Sequence, residues 1–149
     1  MKTKQFSPLA VAILFFLFLN MKVSSQEILD VKNLTGTWTF NTGPSFARMS
    51  PDIKSQMDKT SELKAEIFSA YEGRTASFLE NGDYVQAMAN GKVVYGKWTV
   101  NNNVLTITSS EGANFDHPIL ELKKNRLVIG VMTSGEARPY LPELYYTKN

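Results

Sequence analysis

The sequence predicts an all-β domain: an eight-stranded antiparallel up-and-down barrel with one helical insertion between strands 1 and 2. Three observations lead there. Eight short strand-like runs are separated by turn signals, and one stretch alone has a helical period. Positions set opposite each other by hairpin loops also gather apolar side chains on one face. The 149 residues include no cysteine and are 43% hydrophobic. That composition fits one core-forming domain and excludes a disulfide scaffold, a cysteine zinc site and a cysteine nucleophile.

At the N-terminus, Lys2 and Lys4 precede an apolar run of 11 residues from Leu9 to Leu19. A membrane-spanning helix needs about 20. Val23 and Ser25 then occupy the −3 and −1 positions of a cut after Ser25. Residues 1–25 read as a cleavable signal peptide, and 26–149 as a secreted or periplasmic barrel domain with no membrane span after cleavage. The net charge of +2 rests on this segment. Beyond residue 25, 13 basic side chains meet 14 acidic ones, and such a balance carries no electrostatic footprint for nucleic acid. Asn33-Leu34-Thr35 fits the glycosylation acceptor pattern and is read as a chance match.

Strands are expected at Gly36–Asn41, Arg74–Glu80, Asp83–Ala89, Lys92–Val100, Val104–Ser109, Pro118–Lys123, Arg126–Thr133 and Glu143–Lys148. Between the first two, Ser50–Tyr71 is helical. Ser50-Pro51 suits a helix start, and Ile53, Met57, Leu63, Ile67 and Tyr71 form an apolar stripe. Gly73 suits the stop, and the segment is either one helix or two short ones divided near Thr60-Ser61.

Asn81-Gly82 and Asn90-Gly91 are the strongest hairpin signals, with Asn102-Asn103 and Lys124-Asn125 weaker. Read as two-residue loops, they oppose Phe78 to Val85, Ala76 to Ala87, Ala87 to Val94, Val85 to Gly96, Val100 to Leu105, Trp98 to Ile107, Leu122 to Leu127, Leu120 to Ile129 and Pro118 to Val131. The inner face is then apolar. The outer face holds Tyr84, Gln86, Tyr95, Lys97, Thr106, Glu121, Lys123 and Arg126. A sheet with one oily side and this many strands removes its edges by closing.

Gly36-Thr37-Trp38, the run from Phe78 to Tyr84, Gly96-Lys97-Trp98-Thr99-Val100 and Leu105-Thr106-Ile107 together resemble bacterial secreted lipocalin-like (calycin) domains. The resemblance implies that Trp38 packs inside the closed end of a barrel and that a basic residue near the C-terminus, here Lys148, covers it. The helix between strands 1 and 2 resembles instead the lid of intracellular fatty-acid-binding proteins. Those have ten strands and no export signal. Their carboxylate-binding Arg-x-Tyr near the C-terminus is absent, because Leu144-Tyr145-Tyr146-Thr147 stands there.

Strand direction puts Trp38, Phe78 and Trp98 at a plugged end bearing the turns at 81–82, 102–103 and 124–125. The other end receives the helix, the turn at 90–91 and long loops at 110–117 and 134–142. Candidate ligand-binding residues at that mouth are Arg74, Ala76, Ala87, Val94, Gly96, Ile129, Val131 and Arg138. Small side chains at 76, 87 and 96 would leave space, whereas complete filling by facing side chains is the competing outcome. Arg74 and Arg138 either grip an anion or reach solvent. Tyr140, Tyr145 and Tyr146 either line the mouth or close the sheet.

His117, the only histidine, follows Asp116 and precedes Pro118. Neighbours on a strand face opposite ways, so the triplet is read as a turn rather than as a haem ligand or an oriented base. No metal-ligand spacing and no nucleophile–base arrangement is visible. The expected protein is thus not an enzyme and needs no cofactor. It binds a small hydrophobic or amphipathic ligand as a monomer. The alternative is a filled barrel serving as a protein-interaction module of the cell envelope through an outer Tyr84, Met88 and Tyr95 face or through its loops.

Overall fold

The computed structural model describes residues 29–133 and 138–149. The expected signal peptide and its cut after Ser25 lie outside the described residues. A 3-10 turn at Val31–Leu34 leads into β1 (Gly36–Phe40). Three helices follow: α1 (Thr42–Ala47), α2 (Pro51–Lys59) and α3 (Ser61–Tyr71). The remaining strands are β2 (Thr75–Phe78), β3 (Asp83–Ala87), β4 (Val93–Asn101), β5 (Val104–Ser109), β6 (Asn114–Leu122), β7 (Arg126–Gly130) and β8 (Glu143–Lys148). Each strand pairs antiparallel with the next, and β1 pairs with β8 through Trp38–Lys148, Thr39–Thr147 and Phe40–Tyr146. The barrel is closed, as the sequence predicts.

The helical insertion starts at Pro51, breaks at Thr60 and ends where Gly73 takes a φ of +69°, a conformation that costs glycine nothing. All five residues of the expected stripe pack into or against the core. Helix α1 has no counterpart in the sequence reading, since Gly43 and Pro44 are poor helix formers. It forms because it docks on β8. Fully buried Ser45 donates through Oγ to the Asn41 carbonyl (2.8 Å) and accepts from the Tyr145 amide (3.0 Å).

Hairpin geometry departs from expectation at both Asn-Gly pairs. Leu79 N donates to Asp83 O and Gly82 N to Leu79 O, which makes a three-residue loop, and the same pattern joins Met88 to Lys92. Only the glycines, Gly82 and Gly91, adopt positive φ (+83° each); Asn81 and Asn90 do not. This is a type I turn with a glycine bulge rather than a two-residue type I′ turn. The extra residue slips each register by one. Phe78 therefore opposes Tyr84, and Ala76 opposes Gln86. Tyr84 and Gln86 face inward, while Val85 and Ala87 face outward, the reverse of the expectation. The second loop slips the register back, so Val94, Gly96 and Trp98 stay inward and Tyr95 is 61% exposed outside.

Asn102-Asn103 is the true two-residue turn, with φ of +47° and +62°, and its pairs are those expected. Between β5 and β6 the expected long loop is instead a tight turn closed by Gly112 at φ +86°, so β6 begins at Asn114 and includes His117. A bulge between Ile119 and Glu121 then turns Leu120 outward (54% exposed) and places Ile119 opposite Ile129. The expected pairings of Leu120 with Ile129 and Pro118 with Val131 do not form.

Candidate functional site

One end of the barrel is plugged. Trp38 is fully buried, and its indole N–H donates to the Leu34 carbonyl (2.7 Å) in the 3-10 turn beneath it. The Lys148 ammonium lies 5.1 Å from the Trp38 ring and donates to the Asn33 carbonyl (2.9 Å). Phe78 meets Trp98 edge-on at 5.7 Å, and the Trp98 indole donates to the Leu79 carbonyl (3.0 Å). The two indoles satisfy their N–H groups locally, on backbone carbonyls of the same end.

At the other end lies a cavity of about 400 Å³. Its apolar wall is Val94, Ile107, Phe115, Val131 and Leu144, and its polar wall is Tyr71, Arg74, Tyr84, Gln86, Ser109 and His117, with Tyr95 at the edge. Helix α3 delivers Tyr71, and the turn at Gly73 brings Arg74 directly after it onto β2. The Arg74 guanidinium stacks over the Tyr71 ring at 4.9 Å and donates through Nη2 to the Tyr146 hydroxyl (2.7 Å). Its Nε is buried and has no hydrogen-bond partner. Opposite, Tyr84 and Gln86 join through a hydroxyl-to-amide-oxygen bond of 2.9 Å. His117 donates from Nδ1 to the Gly130 carbonyl (3.0 Å), which leaves its Nε2 as the ring's acceptor.

Charge in this pocket is one-sided. None of the lining residues is Asp or Glu, and among the described residues no carboxylate forms an ion pair with Arg74. Burial works against the Arg74 charge, yet the Tyr146 hydroxyl, helped by those of Tyr84 and Tyr71, outweighs it and holds the guanidinium's pKa above its ordinary value. Burial pushes Tyr84 well above the usual phenol range and Tyr71 in the same direction. Burial also lowers His117, with Arg74 acting the same way, against the Gly130 bond and Asp116. Near neutral pH the pocket thus presents one permanent cation among neutral phenols and a neutral imidazole.

A family model for a lipocalin-like domain matches residues 22–129. The chain belongs to the lipocalin-like domain family. No curated protein matches the sequence. Among solved structures, a DUF4847 family protein from Bacteroides vulgatus is similar at 12% identity and a TM-score of 0.44, over 77% of this chain and 92% of that one.

Within this lipocalin-like barrel the expected site residues separate. Arg74, Val94 and Val131 line the cavity. Ala76 and Ile129 are buried in the adjoining core. Gly96 faces inward but does not supply space. A Cβ there would meet the Thr108 carbonyl oxygen at 2.4 Å, so glycine serves the close approach of β4 and β5. Ala87 is on the outer face, and exposed Arg138 does not line the cavity. Neither contributes to the lumen. Apart from Arg74, the polar wall is what sequence reasoning missed. A two-residue loop at Asn81-Gly82 puts Tyr84 and Gln86 outside, and Asp116-His117-Pro118 reads as a turn, whereas the three-residue loop and the early start of β6 bring all three side chains to the cavity. Tyr84 accordingly leaves the expected outer interaction face, on which Tyr95 remains exposed.

Proposed function

We propose that this lipocalin-like barrel is a secreted or periplasmic, monomeric, non-enzymatic carrier that binds a small hydrophobic or amphipathic molecule under helix α3. The observation that carries the reading is the cavity of about 400 Å³ at the helix-covered end, half apolar wall and half hydrogen-bonding wall. Pockets for small organic ligands combine those features at about 300–1,000 Å³. Burying about 200 Å² of apolar ligand surface against Val94, Ile107, Val131 and Leu144 would contribute roughly 5 kcal/mol before the costs of association.

The non-enzymatic reading draws on the lining chemistry. Ser109 is the lining's aliphatic hydroxyl; its Oγ accepts from the Ala113 amide (3.1 Å), and among the described residues no hydrogen bond joins it to His117, so nucleophile and base are not paired as in a hydrolytic site. Secretion draws on the leader of Lys2, Lys4 and the apolar run that follows.

The test is organic extraction of the purified protein followed by mass spectrometry, with a ligand panel followed by intrinsic tryptophan fluorescence. A stoichiometric small amphiphile, or a saturable response to one panel member, is expected. An empty extract together with a silent panel overturns the proposal and favours a module that works through its surface.

A further inference from the structure

We propose that the head group this cavity takes is a carboxylate, held by Arg74 and Tyr146, with an apolar tail lying along Val94 and Ile107. This rests on the ligand-binding reading above and adds the chemical class of the ligand.

The pocket is built of donors around a cation. Arg74 Nε is buried without a partner, and its N–H is an orphan that folded proteins rarely tolerate unless something fills it. Because Arg74 donates to the Tyr146 oxygen, the Tyr146 hydroxyl proton is free to donate onward. Tyr84 occupies the amide oxygen of Gln86, which leaves the Gln86 NH2 group to point elsewhere. Arg74 and Gln86 line the cavity and the Tyr146 hydroxyl adjoins Arg74, so the donors on this side of the pocket outnumber the acceptors. A planar carboxylate fits a guanidinium edge with two parallel bonds.

Charge sets the class more narrowly. Among the described residues the cavity wall holds a single arginine, no lysine and no carboxylate. One positive charge matches a monoanion and leaves a phosphate monoester, close to doubly charged at neutral pH, under-neutralised. Size sets the tail. About 400 Å³ equals roughly a dozen waters of bulk volume, enough for one short chain or ring system and too little for a two-chain lipid.

The experiment is calorimetric titration of the purified protein at pH 7.5 with decanoate, decanol and decyl phosphate, each below its aggregation concentration. Decanoate is expected to bind at least tenfold more tightly than either of the others. Arg74→Met is expected to remove that preference, bringing decanoate down to the affinity of decanol for the same variant, while Arg74→Lys, which keeps the charge without the fork, retains part of it. If decanol matches decanoate, or decyl phosphate exceeds it, the carboxylate assignment fails and ligand binding stands. If none of the three binds, both fall. The comparison on the unaltered protein decides the matter even if Arg74→Met does not fold.

Discussion

At the scale of single residues, the barrel's mouth is governed by what burial does to side chains that can change charge. His117 is the clearest case. Its Nδ1 is committed to the Gly130 carbonyl, and burial together with Arg74 lowers its pKa below the ordinary 6.5, against the smaller pull of Asp116. The unfolded chain then takes up a proton more readily than the folded one. Stability rises with pH from the folded value up to about 6.5, is flat above it, and is lost as pH falls through that window. The thermal midpoint should therefore drop between pH 7.5 and pH 5, and His117→Gln should show a smaller drop over the same interval. Asp83 and Glu121 have lowered pKa values, from ordinary values of 3.8 and 4.5, and so add their own losses only at still lower pH. Circular dichroism melts across this range measure the difference. Equal drops in the two proteins would show that His117 is not held neutral by its surroundings.

At the scale of elements, loop chemistry decides which face each strand presents. Asn102-Asn103 sits in the left-handed region at both residues, where a Cβ is unfavourable, though less so for asparagine than for other side chains. Asn103→Gly should be neutral or stabilising, and Asn103→Ala should cost about 1 kcal/mol; urea unfolding midpoints distinguish them. Both changes destabilising alike would contradict a type I′ turn there. The sequence made this turn, the helix with its break at Thr60 and the Gly73 stop legible, because each depends on a local preference that nothing distant overrides. It hid the loops at Asn81-Gly82 and Asn90-Gly91, because an Asn-Gly pair serves either a two-residue turn or the last two places of a three-residue bulged turn. Hydrophobicity then pointed the wrong way. Val85 and Ala87 look like core, and Tyr84 and Gln86 like surface. A cavity walled by polar side chains reverses the usual inside-out sorting, so the rule that finds a packed core conceals a lined pocket. Arg74 and Val131 were legible as cavity residues because their strands' inward parity did not depend on those loops. Helix α1 stayed hidden because its stability comes from Ser45 docking on β8, a contact 100 residues away in the chain.

At the scale of the whole molecule, the closed barrel divides labour between its ends. One end spends its large aromatics on packing, with Trp38 sealed between the 3-10 turn and Lys148. The other keeps an open volume beside Tyr71, Arg74 and Tyr84. Closure of β1 on β8 couples the two, because β8 carries Tyr146 at the mouth and Lys148 at the plug. The fold class and its closure followed from strand number and hairpin rhythm, which a one-residue slip does not alter. The account predicts that a ligand enters at the mouth and contacts Arg74. Two-dimensional 1H–15N NMR of the protein titrated with decanoate tests this most directly, through the Arg74 side-chain Nε–H resonance. That resonance should move saturably with the backbone amides of Val94, Gly96 and Val131. A titration that leaves Arg74 Nε–H in place and shifts only outer-face amides such as those of Lys97 and Leu120 would contradict it.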